Sequence, residues 1–442
     1  MSQELLQKAE AVVRGARARG AEGVRVTIGR SRMSRVEWRD DALERVRENT
    51  TMQLGLTLYV DGRYSAHGTS DLRPEALEAF LDETVAMTRL LARDPHRGLP
   101  DAVHYEGMFS GDLGQYDAQG AAALSGVDRR RLAQSLAAAA REAPGGDRIV
   151  SVASGVTDTE SESVLVNSNG MEGTRQMTTF SLFADCTVRD EGHRKPRGYW
   201  FSYDLRRDLL ESVEAVGAEA TRRALAQVGA RPLESGIYAC VIENSQGERL
   251  LGNLVQALSG ANIEQQRSFL ADELGERIAS PVLTATEEPH IVGGFGSRAY
   301  DEEGMASRSF PIIERGVLRN FYLDTYYARK LQMAPTTSSP SNVVFDLGKR
   351  DLDGLLQAMG TGILITTFRG GNANSATGDF SIGIGGHRVE NGRIVRPVTE
   401  MNLAGNQIEF WKQLAEMGND PFRYSHVRCP SLRFAEVQFS GV

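Results

Sequence analysis

The sequence predicts an α+β fold, in which two N-terminal units of helix and antiparallel sheet precede a β-rich C-terminal domain. Apolar and polar side chains alternate over 24–38 and 52–66, as in half-buried strands. Residues 1–20 instead follow the spacing of an amphipathic helix. Beyond Pro232 the chain turns to strand-like segments separated by glycines.

The first predicted unit spans residues 1–110. The N-terminal helix opens it, and Asp61-Gly62 provides a tight turn between two strands. A second helical pattern follows over 74–92, and a stretch rich in Gly, Pro and Asp over 95–117 is typical of a linker. We therefore expect helix, antiparallel sheet and helix in that order.

The second predicted unit, 111–230, repeats this order. An Ala-rich helix comes first, strands are expected around 149–166 and on both sides of Asn169-Gly170, and a helix is expected near 205–227. The similarity between the two units lies in the order of their elements, because no fixed-period sequence repeat is visible.

The third predicted unit, 231–442, is rich in strands. Its expected elements are a buried strand at 236–243, a helix over 248–277, hairpins turning at Arg315-Gly316 and Asn391-Gly392, a helix near 409–418 and a terminal strand at 432–441. This order places a single amphipathic helix close to the start of a β-rich body.

Composition narrows the class of protein. The formal charge is -8, with 58 acidic and 50 basic residues, which argues against a nucleic-acid surface as the main function. The chain shows neither a membrane-spanning apolar run nor a signal-peptide pattern at its start. The 3 cysteines form no CxxC pair, which favours reduced thiols. We expect a cytoplasmic protein that binds neither membrane nor nucleic acid.

The search for catalytic motifs yields mostly absences. The 7 histidines include no pair at the three-to-five-residue helical spacing that brings two imidazoles to one metal ion, so we predict no metal site. Cys429 lies close to His426, which suggests a Cys/His hydrolase. Residues three apart in a strand point to opposite faces, however, and this disfavours contact between the two side chains.

Two segments have the composition of contact surfaces. The glycine-rich loop 369–386 offers small and amide side chains to an extended peptide or a neighbouring subunit, or is simply flexible. Its candidate contact residues are Asn372, Asn374, Ser375, Thr377 and Asp379. Segment 300–310 places three acids near Arg308, either as a surface cluster with its charges satisfied or as the edge of an interface.

Several blocks together resemble the TldD/PmbA family, and within it the TldE (PmbA) branch. They include ALSGANIEQQRSFLADELGERI, EEPHIVGGFGSRAYDEEGMASRSF and SATGDFSIGIGGHRVENGRIVRPVTEMNLAGN, in this order along the chain. The TldD branch carries an HExxxH helix that binds zinc. The resemblance places Leu251, Gly252 and Gln256 at the His, Glu and His positions, and none of the three can replace its counterpart.

The resemblance implies a non-catalytic subunit of a heteromeric zinc metallopeptidase that acts on unfolded or small peptides. It implies no cofactor in this chain, since a TldD-like partner would carry the zinc. Two alternatives stay open at this point. One is a free-standing hydrolase that uses Cys429 or an unrecognised metal site, and the other is a homodimeric peptide-binding or scaffold protein.

Overall fold

The computed structural model describes residues 2–192 and 194–442, and it confirms the predicted α+β class. The N-terminal elements, in chain order, are α1 (Ser2–Ala18), β1 (Gly23–Arg39), β2 (Ala42–Val60), β3 (Arg63–Thr69) and α2 (Pro74–Thr88). They are followed by α3 (Ala118–Ala122), α4 (Gly126–Glu142), β4 (Ile149–Asn167), β5 (Glu172–Val188), β6 (Arg197–Asp204) and α5 (Val213–Leu225).

One antiparallel sheet joins the first two predicted units. Its strand order is β3-β2-β1-β4-β5-β6, and the long central strands β1 and β4 pair from Arg25 opposite Asn167 to Arg39 opposite Ala153. Helices α1 and α4 both pack on these central strands. The linker therefore separates two halves of a single sheet.

Local sequence explains where α4 begins. The Ser125 hydroxyl accepts from the Asp128 amide at 3.1 Å, and the Asp128 carboxylate accepts from the Ser125 amide at 3.2 Å. This reciprocal cap satisfies donors that the first turn of a helix leaves unpaired. Leu136 and Ala140 of α4 then pack with Val156 of β4 in a buried apolar cluster.

The C-terminal region contains a small closed barrel. The helices of the whole C-terminal region are α6 (Gly247–Ala257), α7 (Gly260–Glu264), α8 (Thr325–Leu331), α9 (Leu352–Met359) and α10 (Gln407–Lys412). Its strands are β7 (Gly236–Ile242), β8 (Ala285–Glu287), β9 (Phe310–Glu314), β10 (Val317–Leu318), β11 (Val343–Phe345), β12 (Gly362–Ala373), β13 (Asp379–Glu390), β14 (Arg393–Asn406), β15 (Leu414–Met417) and β16 (Leu432–Ser440). Strands β14, β13, β12, β7 and β16 pair in sequence, and β16 returns to β14.

The predicted hairpin turns are confirmed. Each has two consecutive residues in the left-handed region, as a tight two-residue β-turn requires. They are Asp61-Gly62 (φ 50° and 71°), Arg315-Gly316 (48° and 80°) and Asn391-Gly392 (50° and 73°).

The helix predicted over 248–277 is wrong in its second half. Helix α6 ends at Ala257, α7 is a single short turn, and the chain then runs irregularly to β8. Leu270, Ile278 and Leu283 are nevertheless buried in the hydrophobic core of the C-terminal region. Their apolar spacing therefore reflects burial without helix. Among the residues that the structure describes, no helix has the length and apolarity needed to cross a membrane.

Candidate functional site

Helix α6 packs an apolar stripe into the core of the C-terminal region. Leu250, Leu251, Leu254 and Ala257 are buried, at the spacing that places them on one side of a helix. The helix begins at Gly247, where a Cβ would lie 2.5 Å from the Cys429 sulfur. Only a residue without a side chain allows this close approach, which fixes the helix against the segment that precedes β16.

The three positions that the resemblance aligned with zinc-binding residues do not form a metal site. Leu251 is 4% exposed and belongs to the core cluster. Gly252 is exposed, and a Cβ built there meets nothing within 4 Å. Gln256 is also exposed. Zinc requires imidazole, thiolate or carboxylate donors, so this set does not fit the ion.

The rest of the described chain offers no substitute. Within residues 2–192 and 194–442, no group of three or more His, Cys, Asp or Glu side chains is placed to hold a metal ion. His193 lies outside the described residues. We therefore derive no chemical step from a metal in this chain.

Two contacts fasten the N-terminal end of α6 to β12. The Arg249 guanidinium donates to the Phe368 carbonyl at 2.8 Å and to the Gly370 carbonyl at 2.5 Å. The Phe368 amide donates to Gln246 at 3.1 Å. At this point the β12–β13 pairing is irregular, and Gly370 and Gly371 adopt φ 56° and 111°. Arg249 thus holds a strand bulge against the helix.

The β12–β13 turn is ordered by its own side chains. The Asn374 amide donates to the Asp379 carbonyl at 2.9 Å, and the Thr377 hydroxyl donates to the Asp379 carboxylate at 2.8 Å. The Thr377 hydroxyl, and then the Asn406 amide, lower the pKa of Asp379. These bonds disfavour the interpretation of this segment as a flexible glycine loop.

The same turn contacts the segment that follows α6. The Phe269 amide donates to the Ser375 carbonyl at 2.9 Å, and the neighbouring Ser268 hydroxyl donates to the Ala257 carbonyl at 2.6 Å. Both ends of α6 are therefore tied to the β12–β13 hairpin. Four exposed residues of this region form what we call the α6–hairpin surface: Gly252, Gln256, Asn372 and Asn374.

The sixth candidate contact residue, Arg308, belongs to a different neighbourhood. Its guanidinium donates to the Glu106 carbonyl of the linker at 3.2 Å. Sequence position alone gave no means of separating Arg308 from the hairpin residues. The structure thus brings Asn372, Asn374, Ser375, Thr377 and Asp379 into one hairpin and places Arg308 on the linker.

Of the three acids in segment 300–310, Glu302 is exposed and pairs with Arg298 at 2.9 Å, whereas the other two are buried. Asp301 and Glu303 are 3% and 8% exposed. Glu303 accepts from the Thr325 amide at 2.7 Å and hydroxyl at 2.8 Å, and it lies 3.8 Å from Arg25 of β1. Burial raises the pKa of both carboxyls. Glu303 therefore joins the N-terminal sheet to the C-terminal region.

Cys429 lacks the environment of a catalytic thiol. It is 0% exposed, its sulfur packs on Gly247, and its S–H donates to the Pro430 carbonyl at 3.3 Å. Burial raises its pKa well above the ordinary thiol value. A nucleophilic cysteine needs an accessible thiolate, and burial removes both the access and the charge.

The chain matches one family along most of its length. Models of PmbA/TldA metallopeptidase domain 1, central domain and C-terminal domain match residues 24–88, 121–228 and 235–441. A relative named Metalloprotease PmbA, from Escherichia coli O157:H7, is 29% identical over 424 residues, which are 95% of this chain and 93% of the relative.

Solved structures share the whole fold. A proposed modulator of DNA gyrase from Bacteroides thetaiotaomicron VPI-5482 is 40% identical with a TM-score of 0.94, and the match covers 99% of this chain and 98% of that one. TldE from Thermococcus kodakarensis has a TM-score of 0.83 at 19% identity, covering 98% of this chain and 100% of that one. The second match shows the fold alone.

Proposed function

This chain belongs to the PmbA/TldD metallopeptidase family, and we propose that it is the TldE-like, metal-free subunit of a heteromeric peptidase. A TldD-like chain would bind the zinc and cleave the substrate. The substrates proposed are unfolded or small peptides, and the proposed location is the cytoplasm. The subunit described here would help to enclose the space in which the partner cleaves, and it would hold the substrate.

The absence of metal donors at the aligned positions of α6 carries this proposal. At the aligned positions a buried aliphatic side chain, a glycine and an exposed amide replace two ligands and a general base. A metallopeptidase needs the metal to polarise the scissile carbonyl and to activate water. A family member that lacks these groups at the aligned positions of α6 requires them from another chain.

The α6–hairpin surface supports a contact role. Its side chains are small or carry amides, and they stand on a helix and a hairpin that Arg249 and Phe269 hold together. Such a surface can donate to and accept from the backbone of an extended peptide, and it can also pack against another subunit. We assign it to partner or peptide contact.

The test is reconstitution. The chain is purified alone and after co-expression with a TldD-like homologue that carries HExxxH, and cleavage of an unstructured peptide is followed by mass spectrometry. We expect co-purification and cleavage by the pair, with cleavage lost when the partner's HExxxH glutamate becomes glutamine. Cys429→Ala in this chain should leave cleavage unchanged.

A surface variant tests the docking assignment. Gly252→Arg adds a long side chain to an exposed position without touching the core, so we expect weaker co-purification from a chain that folds normally. Arg14→Gln on α1, whose side chain is 70% exposed, serves as the control. Cleavage by the isolated chain, or its loss on Cys429→Ala, would contradict the proposed function.

A further inference from the structure

A cleft of about 850 Å³ separates the N-terminal sheet from the barrel. Strand β6 and helix α5 form one wall, and β12, β13 and β14 form the other. It lies beside residues 245 and 246, immediately before α6.

Positive charge dominates the lining of the cleft. Among the described residues that line it, six side chains are cationic and two are acidic. Four of the arginines are balanced, since Arg194 lies 4.0 Å from Asp190, Arg197 pairs with Asp185, and Arg222 and Arg223 both pair with Glu219. Clefts lined by one sign of charge concentrate the field and attract ligands of the opposite sign.

Arg369 is held in place, and it forms no ion pair with any residue that the structure describes. Its guanidinium donates to the Gln227 amide oxygen at 2.6 Å and to the Thr399 hydroxyl at 3.3 Å, and neither partner carries charge. Lys195 is exposed at the same cleft and forms no ion pair among the described residues. These two cations are therefore available to a carboxylate, and Arg369 is already oriented.

His387 adds a hydrogen-bond acceptor at the wall. The residue is 9% exposed, and its Nε2 lies 3.1 Å from the Ala226 carbonyl. Because a carbonyl can only accept, Nε2 carries the proton and Nδ1 presents a lone pair. Nδ1 is buried without a hydrogen-bond partner in the described structure. Burial lowers the pKa of the ring, which favours this neutral form.

An aromatic side chain completes the lining. Tyr199 is 52% exposed, and its ring lies against Phe183 and Phe201 with centroids 6.0 and 5.8 Å apart. It offers an apolar face to a ligand side chain. The cleft thus combines unbalanced cations with an apolar face, beside the buried acceptor of His387.

We propose that this cleft binds the anionic part of an extended peptide, with carboxylates at Arg369 and Lys195. The inference rests on the proposed function for its substrate class, acidic peptides, but the binding itself does not need the partner subunit. A peptide fits better than a polynucleotide, because the cleft offers the apolar face of Tyr199 beside its cations and the sequence carries a formal charge of -8.

The test is equilibrium binding to the isolated full-length chain, measured by fluorescence anisotropy with a neutral dye. The probes are a glutamate-rich peptide blocked at both ends, its glutamine counterpart, and that counterpart with a free C-terminal carboxylate. Tighter binding of the first probe assigns the site to acidic side chains, and tighter binding of the third assigns it to the chain terminus. Equal binding of all three overturns the inference.

Matched variants locate the site. Arg369→Gln with Lys195→Gln should weaken binding of the anionic probe about tenfold or more, and Arg14→Gln should leave it unchanged. Glu400 is the acidic residue of the cleft that forms no ion pair among the described residues, so Glu400→Gln should tighten binding. This gain is insensitive to misfolding, and its absence together with an unaffected double variant would refute the site.

Three further outcomes separate this inference from the proposed function. An oligonucleotide that displaces the acidic peptide with higher affinity overturns the inference alone. If acidic peptide binds but no TldD-like chain yields cleavage, the cleft stands and the proposed function fails. Cleavage by the reconstituted pair that is indifferent to peptide charge and to the double variant leaves the function intact and contradicts the cleft.

Discussion

Replacing Gly252 by alanine should stabilise the isolated chain. Gly252 lies inside α6, where alanine is favoured over glycine by about 1 kcal/mol. A Cβ at this position meets no atom within 4 Å, so the gain is not offset by a clash. For a domain of roughly 200 residues this free energy raises the melting temperature by about 2–4 °C.

Gly247, in the same helix, provides the matched control. There a Cβ would lie 2.4 Å from Cys429 Cβ and 2.5 Å from its sulfur, and both atoms belong to a fully buried side chain. Overpacking of this kind costs about 1–3 kcal/mol. Gly247→Ala should therefore lower the melting temperature by an amount comparable to the rise from Gly252→Ala.

Thermal unfolding by differential scanning fluorimetry measures both shifts, with circular dichroism as the check on secondary structure. Shifts of opposite sign support an α6 with one packed and one open side. If Gly252→Ala destabilises the chain, position 252 is covered by other atoms. The α6–hairpin surface would then be unavailable to a partner or a peptide.

Three further outcomes follow. Arg249→Ala removes two hydrogen bonds to carbonyls at the β12 bulge, so hydrogen exchange measured by mass spectrometry should accelerate over 368–378 and stay unchanged in β4; equal protection would refute the anchoring. Burial raises the pKa of Asp301, so ionisation costs stability as pH rises above its ordinary value of 3.8; Asp301→Asn should have a higher melting temperature than the parent at pH 7, and the two melting temperatures should converge near pH 4. All three cysteines are buried, so iodoacetamide should label the native chain slowly and label every cysteine in urea; rapid native labelling would contradict the packing around Cys429.

Short-range signals predicted the parts of the fold that depend on neighbouring residues. The turns at Asp61-Gly62 and Asn391-Gly392 were predictable because few residue pairs tolerate two successive left-handed conformations. The start of α6 was predictable from its apolar stripe. Its end at Ala257 was not predictable, because the turn that follows depends on contacts with distant residues. One of these contacts is the hydrogen bond that the Gly260 amide donates to the Tyr322 carbonyl.

Long-range pairing and two-sided exposure hid the remainder. The first part of β2, Ala42 to Thr51, is exposed on both faces, so it has no alternation of apolar and polar residues for a pattern to detect. The pairing of β1 with β4 joins residues more than a hundred positions apart. No local sequence pattern indicates this pairing, although it joins the two predicted units into one sheet.

The site was predictable only in part. The missing ligands at Leu251, Gly252 and Gln256 follow from residue identity, whereas the ties from Arg249 and Phe269 that place the hairpin beside α6 require coordinates. The charges of Asp301 and Glu303 suggested solvent exposure. Their burial becomes understandable only once Thr325 and Arg25 are seen to surround Glu303.

The claim that α6 holds no zinc site is tested by measuring the zinc content of the isolated chain. The protein is loaded with excess zinc, dialysed, and analysed by inductively coupled plasma mass spectrometry. We expect far less than one zinc per chain, because α6 presents no imidazole, thiolate or carboxylate at the aligned positions. One tightly held zinc per chain, lost when Gln256 becomes alanine, would contradict it.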